Sequence, residues 1–146
     1  TKITAKDMYC KIRFKIDGQL IETRAMIDTG NLAKEPITNT PVVIVESSLL
    51  EKALPLQILN NLEKILCGDL SQISEEIQEK YVSKFRCIPF SSLGKQNGML
   101  LGIRVDEIEI ETYDEKKLTN NVIIGIYDKS LTKRGEYRAL IGIELI

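Results

Sequence analysis

Arg24–Asn31 reads RAMIDTGN, an alternating apolar run that meets an acid, a hydroxyl and a glycine and then stops. The run is the second arm of a hairpin. Upstream, Tyr9–Ile16 alternates strictly, with Cys10, Ile12, Phe14 and Ile16 on one side and Tyr9, Lys11, Arg13 and Lys15 on the other, the period of a half-buried strand. Asp17-Gly18 follows, and D-G between two alternating runs marks a hairpin turn because Gly tolerates the positive φ that the turn requires. The return strand, Gln19 to Ile27, places Ile21, Thr23, Ala25 and Ile27 on one face, and Met26 and then Asp28 on the other. A rigid element therefore hands a carboxylate to a tight turn. Gly30 is expected to bend the backbone where a side chain would clash, and Thr29 to hydrogen-bond locally. Taken alone, D-T-G fits an ordinary Asx-type turn more readily than a device for holding an acid at a fixed point.

The order of elements downstream gives that turn a context. After a loop with Pro36 and Asn39, PVVIVE at Pro41–Glu46 is short and β-branched, as a buried strand is. Ser48 with Glu51 three residues on fits a capping box that opens a helical region. Pro55 is placed to start a second helix, Ile58, Leu59, Leu62, Ile65 and Leu66 follow a 3.6 period, and Gly68 stands where a helix stops. Ser74–Lys84 reads as another short helix with a solvated, charged face. The chain then returns to strands. FRCIPFSS (Phe85–Ser92) and MLLGIRVDEIEI (Met99–Ile110) flank LGKQNG, a polar tip bounded by glycines. Met99, Leu101, Ile103 and Val105 are in phase, and Ile108 and Ile110 are out of phase with them, so a bulge is expected near Asp106-Glu107. NVIIGIY (Asn121–Tyr127) is a further strand, and YRALIGIELI ends the chain with an apolar run broken by Gly142.

Composition narrows the function classes. A chain of 146 residues, 43% hydrophobic, supports one core and is too short for two sizeable domains, so residues 1–146 are read as a single domain. Twenty basic against 21 acidic side chains, scattered, give no electrostatic reason to expect nucleic acid or an anionic membrane as partner. There is no His, which removes the Ser-His-Asp and Cys-His hydrolases and leaves carboxylates, Lys, Tyr or Cys for chemistry at neutral pH. Cys10, Cys67 and Cys87 have no C-x-x-C spacing, so neither a zinc site nor a disulfide framework is expected, and all three read as small buried hydrophobes. The acids at Asp106, Glu107, Glu109 and Glu111 read as a solvated face, and strand spacing argues against a Ca²⁺ site there. Tyr81 and Tyr137 read as packing residues. No cofactor is expected. No apolar run reaches the roughly 20 residues of a membrane span, and residue 1 is Thr, so the chain is expected to be part of a longer protein.

D-T-G after a β-hairpin, then a strand, a Gly-tipped hairpin, VIIGIY and a final apolar-Gly run resembles one half of an aspartic protease of the retropepsin-like family. AMIDTGN (Ala25–Asn31), IPFSSLGKQNGMLLGI (Ile88–Ile103) and NVIIGIY with ALIGIELI (Asn121–Ile146) carry the resemblance, which covers most of the chain outside the helical insert. The fold this implies is mainly β with a helical insert at about 47–84: a retropepsin-like closed β-barrel half, one D-T-G per chain. DTGN, the insert and RCIPFSSLGKQNGMLLG together are similar to the protease domains of the sporulation sigma-E factor-processing peptidases. That likeness implies a membrane-embedded N-terminal half outside this chain, a protease domain on the cytoplasmic side of the cell membrane, and the pro-sequence of a sigma-factor precursor as substrate.

By the same resemblance, Asp28 is the catalytic acid. Thr29, Gly30 and Asn31 support its loop, and Gly142 lets the last run pass close behind it. A hairpin at about 86–104 is the flap, with Leu93, Gly94, Lys95, Gln96, Asn97 and Gly98 over the substrate. Two facing carboxylates are needed, one ionised to activate water and one protonated to polarise the scissile carbonyl, so one D-T-G per chain implies a homodimer. The sequence departs from the retroviral pattern at Asn31, where those enzymes carry Ala or Ser, and at Ile143-Glu144, where they carry Arg-Asn and gain an inter-subunit ion pair. Two alternatives stay open at this stage. One is a peptide-binding or interaction module that keeps the fold without the reaction, and the other is a protease that stays latent until an activating partner orders the dimer.

Overall fold

The hairpin forms as its pattern requires. In the computed structural model, which describes residues 8–30, 33–90 and 98–146, β1 (Tyr9–Ile16) pairs antiparallel with β2 (Gln19–Asp28). Asp17 and Gly18 turn between them at φ 50° and 78°. Cys10, Ile12, Phe14 and Ile16 are all buried, the face the alternation selects. β3 (Val42–Glu46), β4 (Phe85–Phe90), β5 (Gly98–Glu111), β6 (Lys116–Tyr127) and β7 (Ala139–Gly142) complete the strands.

Six of these strands close on themselves. The order runs β1-β2-β7-β3-β6-β5, and β5 returns to β1 through Lys11–Phe14 against Ile108–Glu111. This is the retropepsin-like barrel half. β5 is long enough to serve two neighbours, its first residues pairing with β4 and its last with β1. β7 is inserted between β2, to which it runs parallel, and β3, to which it runs antiparallel. Both faces of β3 are buried, which is why its sequence is a continuous apolar run.

The two faces of the strands feed two clusters. Ile12, Val43, Val45, Ile103, Val105, Ile124 and Ile141 belong to the larger core. Val42, Ile44, Ile88, Phe90, Leu100, Ile123, Tyr127 and Leu140 form a smaller cluster on the opposite face, with Met26, Leu131 and Tyr137 packed against it. The insert between β3 and β4 joins the larger core through Leu50, Leu54, Ile58, Leu62, Ile65, Ile73 and Tyr81. Burying each such Leu or Ile contributes about 1.5–3 kcal/mol, so the insert is a structural part of the barrel.

Local readings of the insert need two corrections. Ser48 and Glu51 do not form a capping box: Ser47–Leu50 is a short 3-10 turn without a side-chain cap, and the Ser48 hydroxyl takes a hydrogen bond from Arg138 instead. The single apolar period splits into α1 (Leu56–Leu59) and α2 (Leu62–Leu66), broken at Asn60-Asn61, with Gly68 at φ 81° ending the second. α3 (Glu75–Tyr81) is capped by Ser74, whose hydroxyl accepts from Ile77 N–H. Of the cysteines only Cys10 is buried, which pushes its thiol up to about 11, while Cys67 and Cys87 are exposed. The phase change in β5 occurs without a net slip, since Val105 faces Val122 and Glu107 faces Asn120 in one register. Asn121, at φ 61°, absorbs the distortion on β6. No helix among the described residues is long and apolar enough to cross a membrane.

The β1–β5 seam that closes the barrel carries an ion cluster. Arg13 bonds Glu22 through Nε, and through Nη1 it donates to Glu109 at 2.6 Å and Glu111 at 3.2 Å. These bonds hold the Glu22 and Glu111 carboxyls below the usual glutamate range. Depressed folded-state values mean stability that is present above the ordinary glutamate pKa of about 4.3 and is lost as pH falls through the lower folded values. Arg13→Met is therefore expected to lower the melting temperature at neutral pH, because Glu109 loses its ion pair and Glu22 and Glu111 keep, among the described residues, only Lys11 and Lys116. It should also flatten the acid side of the melting temperature against pH profile. A variant with the parent's profile would show that the cluster contributes nothing to closure.

Candidate active site

Asp28 is the last residue of β2 and lies on the same face as Met26, two residues earlier, and so on the side of the smaller cluster. The residue is 9% exposed, and its Oδ1 accepts the Gly30 N–H at 2.8 Å. The Asx turn foreseen from D-T-G is thus present, and it fixes one carboxylate oxygen at the end of a buried strand. In the parallel ladder of β2 and β7, Ala25 faces Ala139, Met26 faces Leu140, Ile27 faces Ile141 and Asp28 faces Gly142. Gly142 therefore sits directly beside Asp28. Its φ of −74° is one any residue adopts, so no backbone strain calls for glycine there.

The supporting residues divide. Thr29 and Gly30 are both exposed at the turn. The local bond expected of Thr29 is absent, since its hydroxyl has no partner among the described residues. Nor does the chain itself require glycine at Gly30, where an added Cβ would lie at an ordinary 3.4 Å from Asp28 Oδ1. What both leave is a small, polar, accessible surface beside a buried carboxylate. Asn31 and the hairpin tip residues Leu93, Gly94, Lys95, Gln96 and Asn97 lie outside the described residues. Gly98 opens β5 opposite Phe90, and the hairpin's two arms pair from Phe85↔Ile103 to Phe90↔Gly98.

The partners of three acids and two cations around the site escaped the sequence reading. Glu144, two residues past Gly142, stands 3.9 Å from Lys34, which ties the last run to the chain leaving the D-T-G turn. Glu35 is buried and staples its own turn, accepting from Ile37 N–H, Thr38 N–H and the Thr38 hydroxyl. Those bonds, the Thr38 hydroxyl first, hold its carboxyl below the usual glutamate range. Glu46 is 5% exposed and accepts from Leu131 N–H at 2.7 Å and Arg138 Nε at 3.0 Å. An acid terminating an all-apolar run was the available signal for Glu46. A charge at the end of a strand buried on both faces has to find partners.

A closed six-stranded barrel carrying one D-T-G, with a glycine of the last strand beside the acid, is the half-site architecture of the retropepsin-like proteins. The chain belongs to the Peptidase_U4 family, Sporulation factor SpoIIGA, whose model matches residues 1–145. It is 28% identical over 135 residues to a protein of Bacillus thuringiensis subsp. kurstaki named for sporulation sigma factor processing, covering 92% of this chain and 82% of that relative. It is 26% identical over 143 residues to the sporulation sigma-E factor-processing peptidase of Priestia megaterium, covering 96% of this chain and 45% of the relative. Against the Bacillus subtilis peptidase of the same name the identity is 29% over 133 residues, 89% of this chain and 42% of that one. The chain thus spans less than half the length of the last two.

Proposed function

We propose that this chain is an aspartic endopeptidase domain that works as a homodimer and removes the pro-sequence of a sporulation sigma-factor precursor. The observation that carries the reading is Asp28 held at a strand end by the Gly30 N–H, with Gly142 beside it and two small exposed residues in front. One barrel supplies one carboxylate. A twofold axis at the turn brings Asp28 and its symmetry mate together, and the exposed Thr29 of each copy then braces the other's loop. One carboxyl, ionised, takes a proton from the attacking water, while the other, protonated, donates to the scissile carbonyl. No covalent intermediate is formed.

The β4–β5 hairpin serves as the flap over an extended peptide that pairs as an added strand. By the family resemblance, the domain acts on the cytoplasmic face of the cell membrane, tethered by a membrane-embedded N-terminal half, and an activating partner orders the dimer. The test is cleavage of a sigma-factor precursor in cells, comparing the parent with Asp28→Ala. If both shorten the precursor, another protease does the cutting and the reading is wrong.

A further inference from the structure

β7 has to place Gly142 beside Asp28, yet it is only four residues long. It pairs with β2 through Ala139 to Gly142 and with β3 through Ala139 and Leu140. Because side chains alternate along a strand, a slip of one residue would set Ile141 or Ile143 beside Asp28 and reverse both faces of β7. The sequence ALIGI does little to prevent this, being small or aliphatic throughout. Something outside the strand must fix its register.

Arg138, the residue before β7, is held from four directions. Its Nε donates to Glu46 Oε1 at 3.0 Å and its Nη2 to the Ser48 hydroxyl. Its N–H donates to the Arg24 carbonyl at 3.2 Å, and its own carbonyl accepts the Glu46 N–H at 3.1 Å. The second Glu46 oxygen takes the Leu131 N–H at 2.7 Å, so one buried carboxylate grips both ends of the loop from Leu131 to Arg138. That loop also packs Leu131 and Tyr137 against the cluster shared by Met26 and Leu140, each two residues before the Asp28–Gly142 pair.

We propose that Glu46 is a positioning residue. By clamping Arg138 and Leu131 it sets the register of β7 and thereby keeps a glycine beside Asp28. As far as cleavage is concerned, this deepens the function proposed above and rests on it.

Glu46→Gln keeps the size of the side chain and an acceptor for Leu131 but turns an amide NH₂ toward a guanidinium that can only donate. Trypsin reads the loop directly, because Lys129, Lys133 and Arg134 are exposed on it or beside it, while the exposed Lys52 and Lys64 of the insert report on the rest of the chain. In the variant, cutting at the loop sites is expected to accelerate about tenfold relative to Lys52 and Lys64 through local opening. In cells, precursor processing should fall about tenfold to a hundredfold at an unchanged level of the variant protein, the size of effect that a misplacement of about 1 Å produces. A uniform acceleration at all five sites would mean a general stabilising role and would overturn the proposal. So would loop opening with processing at the parent's level.

Arg138→Lys, which keeps the charge and loses the fork, should act in the same direction if Glu46→Gln does not fold. Asp28→Ala run beside them separates the two ideas. If it still processes, the protease reading fails. If it is inactive while Glu46→Gln matches the parent, only the positioning role fails.

Discussion

Replacing Asp28 with alanine is expected to abolish cleavage of the sigma-factor precursor, a loss on the order of 10⁴-fold or more, while the barrel stays folded. The side chain accepts the turn bond from Gly30 N–H, and losing a bond of that kind costs about 1 kcal/mol. The strand that carries it is held independently by its pairing with β1 and β7. Melting curves of parent and variant should therefore nearly coincide while activity vanishes. Co-expression sharpens the result. If two copies build one site, equal amounts of parent and variant leave only about a quarter of the dimers with both carboxylates, so processing falls well below half. A decrease to one half would mean that each chain works alone, and the dimer would have to be given up.

The second large effect lies in the packing that seats the hairpin. Gly102 faces Gly125 across β5 and β6 on the side of the smaller cluster. A Cβ at Gly102 would lie 2.7 Å from Ile123 Cγ2 and 2.9 Å from Ile88 Cγ1. Both neighbours are buried β-branched side chains with few rotamers to retreat into. Overpacking of this kind costs about 1–3 kcal/mol, and valine at Gly102 should reach the top of that range, lowering the melting temperature by about 10 °C for a chain of this length. Ile123→Ala in the same chain should return part of the loss, because the clash partner withdraws. Two losses that simply add would show that this contact is not the cause.

The features legible in the sequence share one property, which is that neighbours along the chain produce them. The alternation of Tyr9–Ile16, the D-G turn, the apolar run of Val42–Glu46 and the stop at Gly68 each depend on a few consecutive residues, and each stands where the pattern placed it. Ser48 shows how such a reading fails. Its hydroxyl was free to cap a helix, but Arg138, 90 residues away, competes for it and wins. The split of the insert at Asn60-Asn61 is similar, since Ile58, Leu62 and Ile65 still face the core but as two short helices fitted to the barrel.

By itself the sequence determined the strands, the acid at the end of β2 and the glycine of the last run, because period and turn chemistry are local. It also determined the family likeness that joins them. Only the tertiary structure decided that β7 enters between β2 and β3 and that β5 returns to β1, since strand partners are chosen by pairing across the whole chain. Glu46, bonded to residues 85 and 92 positions away, belongs to the same class. A buried carboxylate must find donors, and nothing within a few residues of Glu46 says where in the chain they will be.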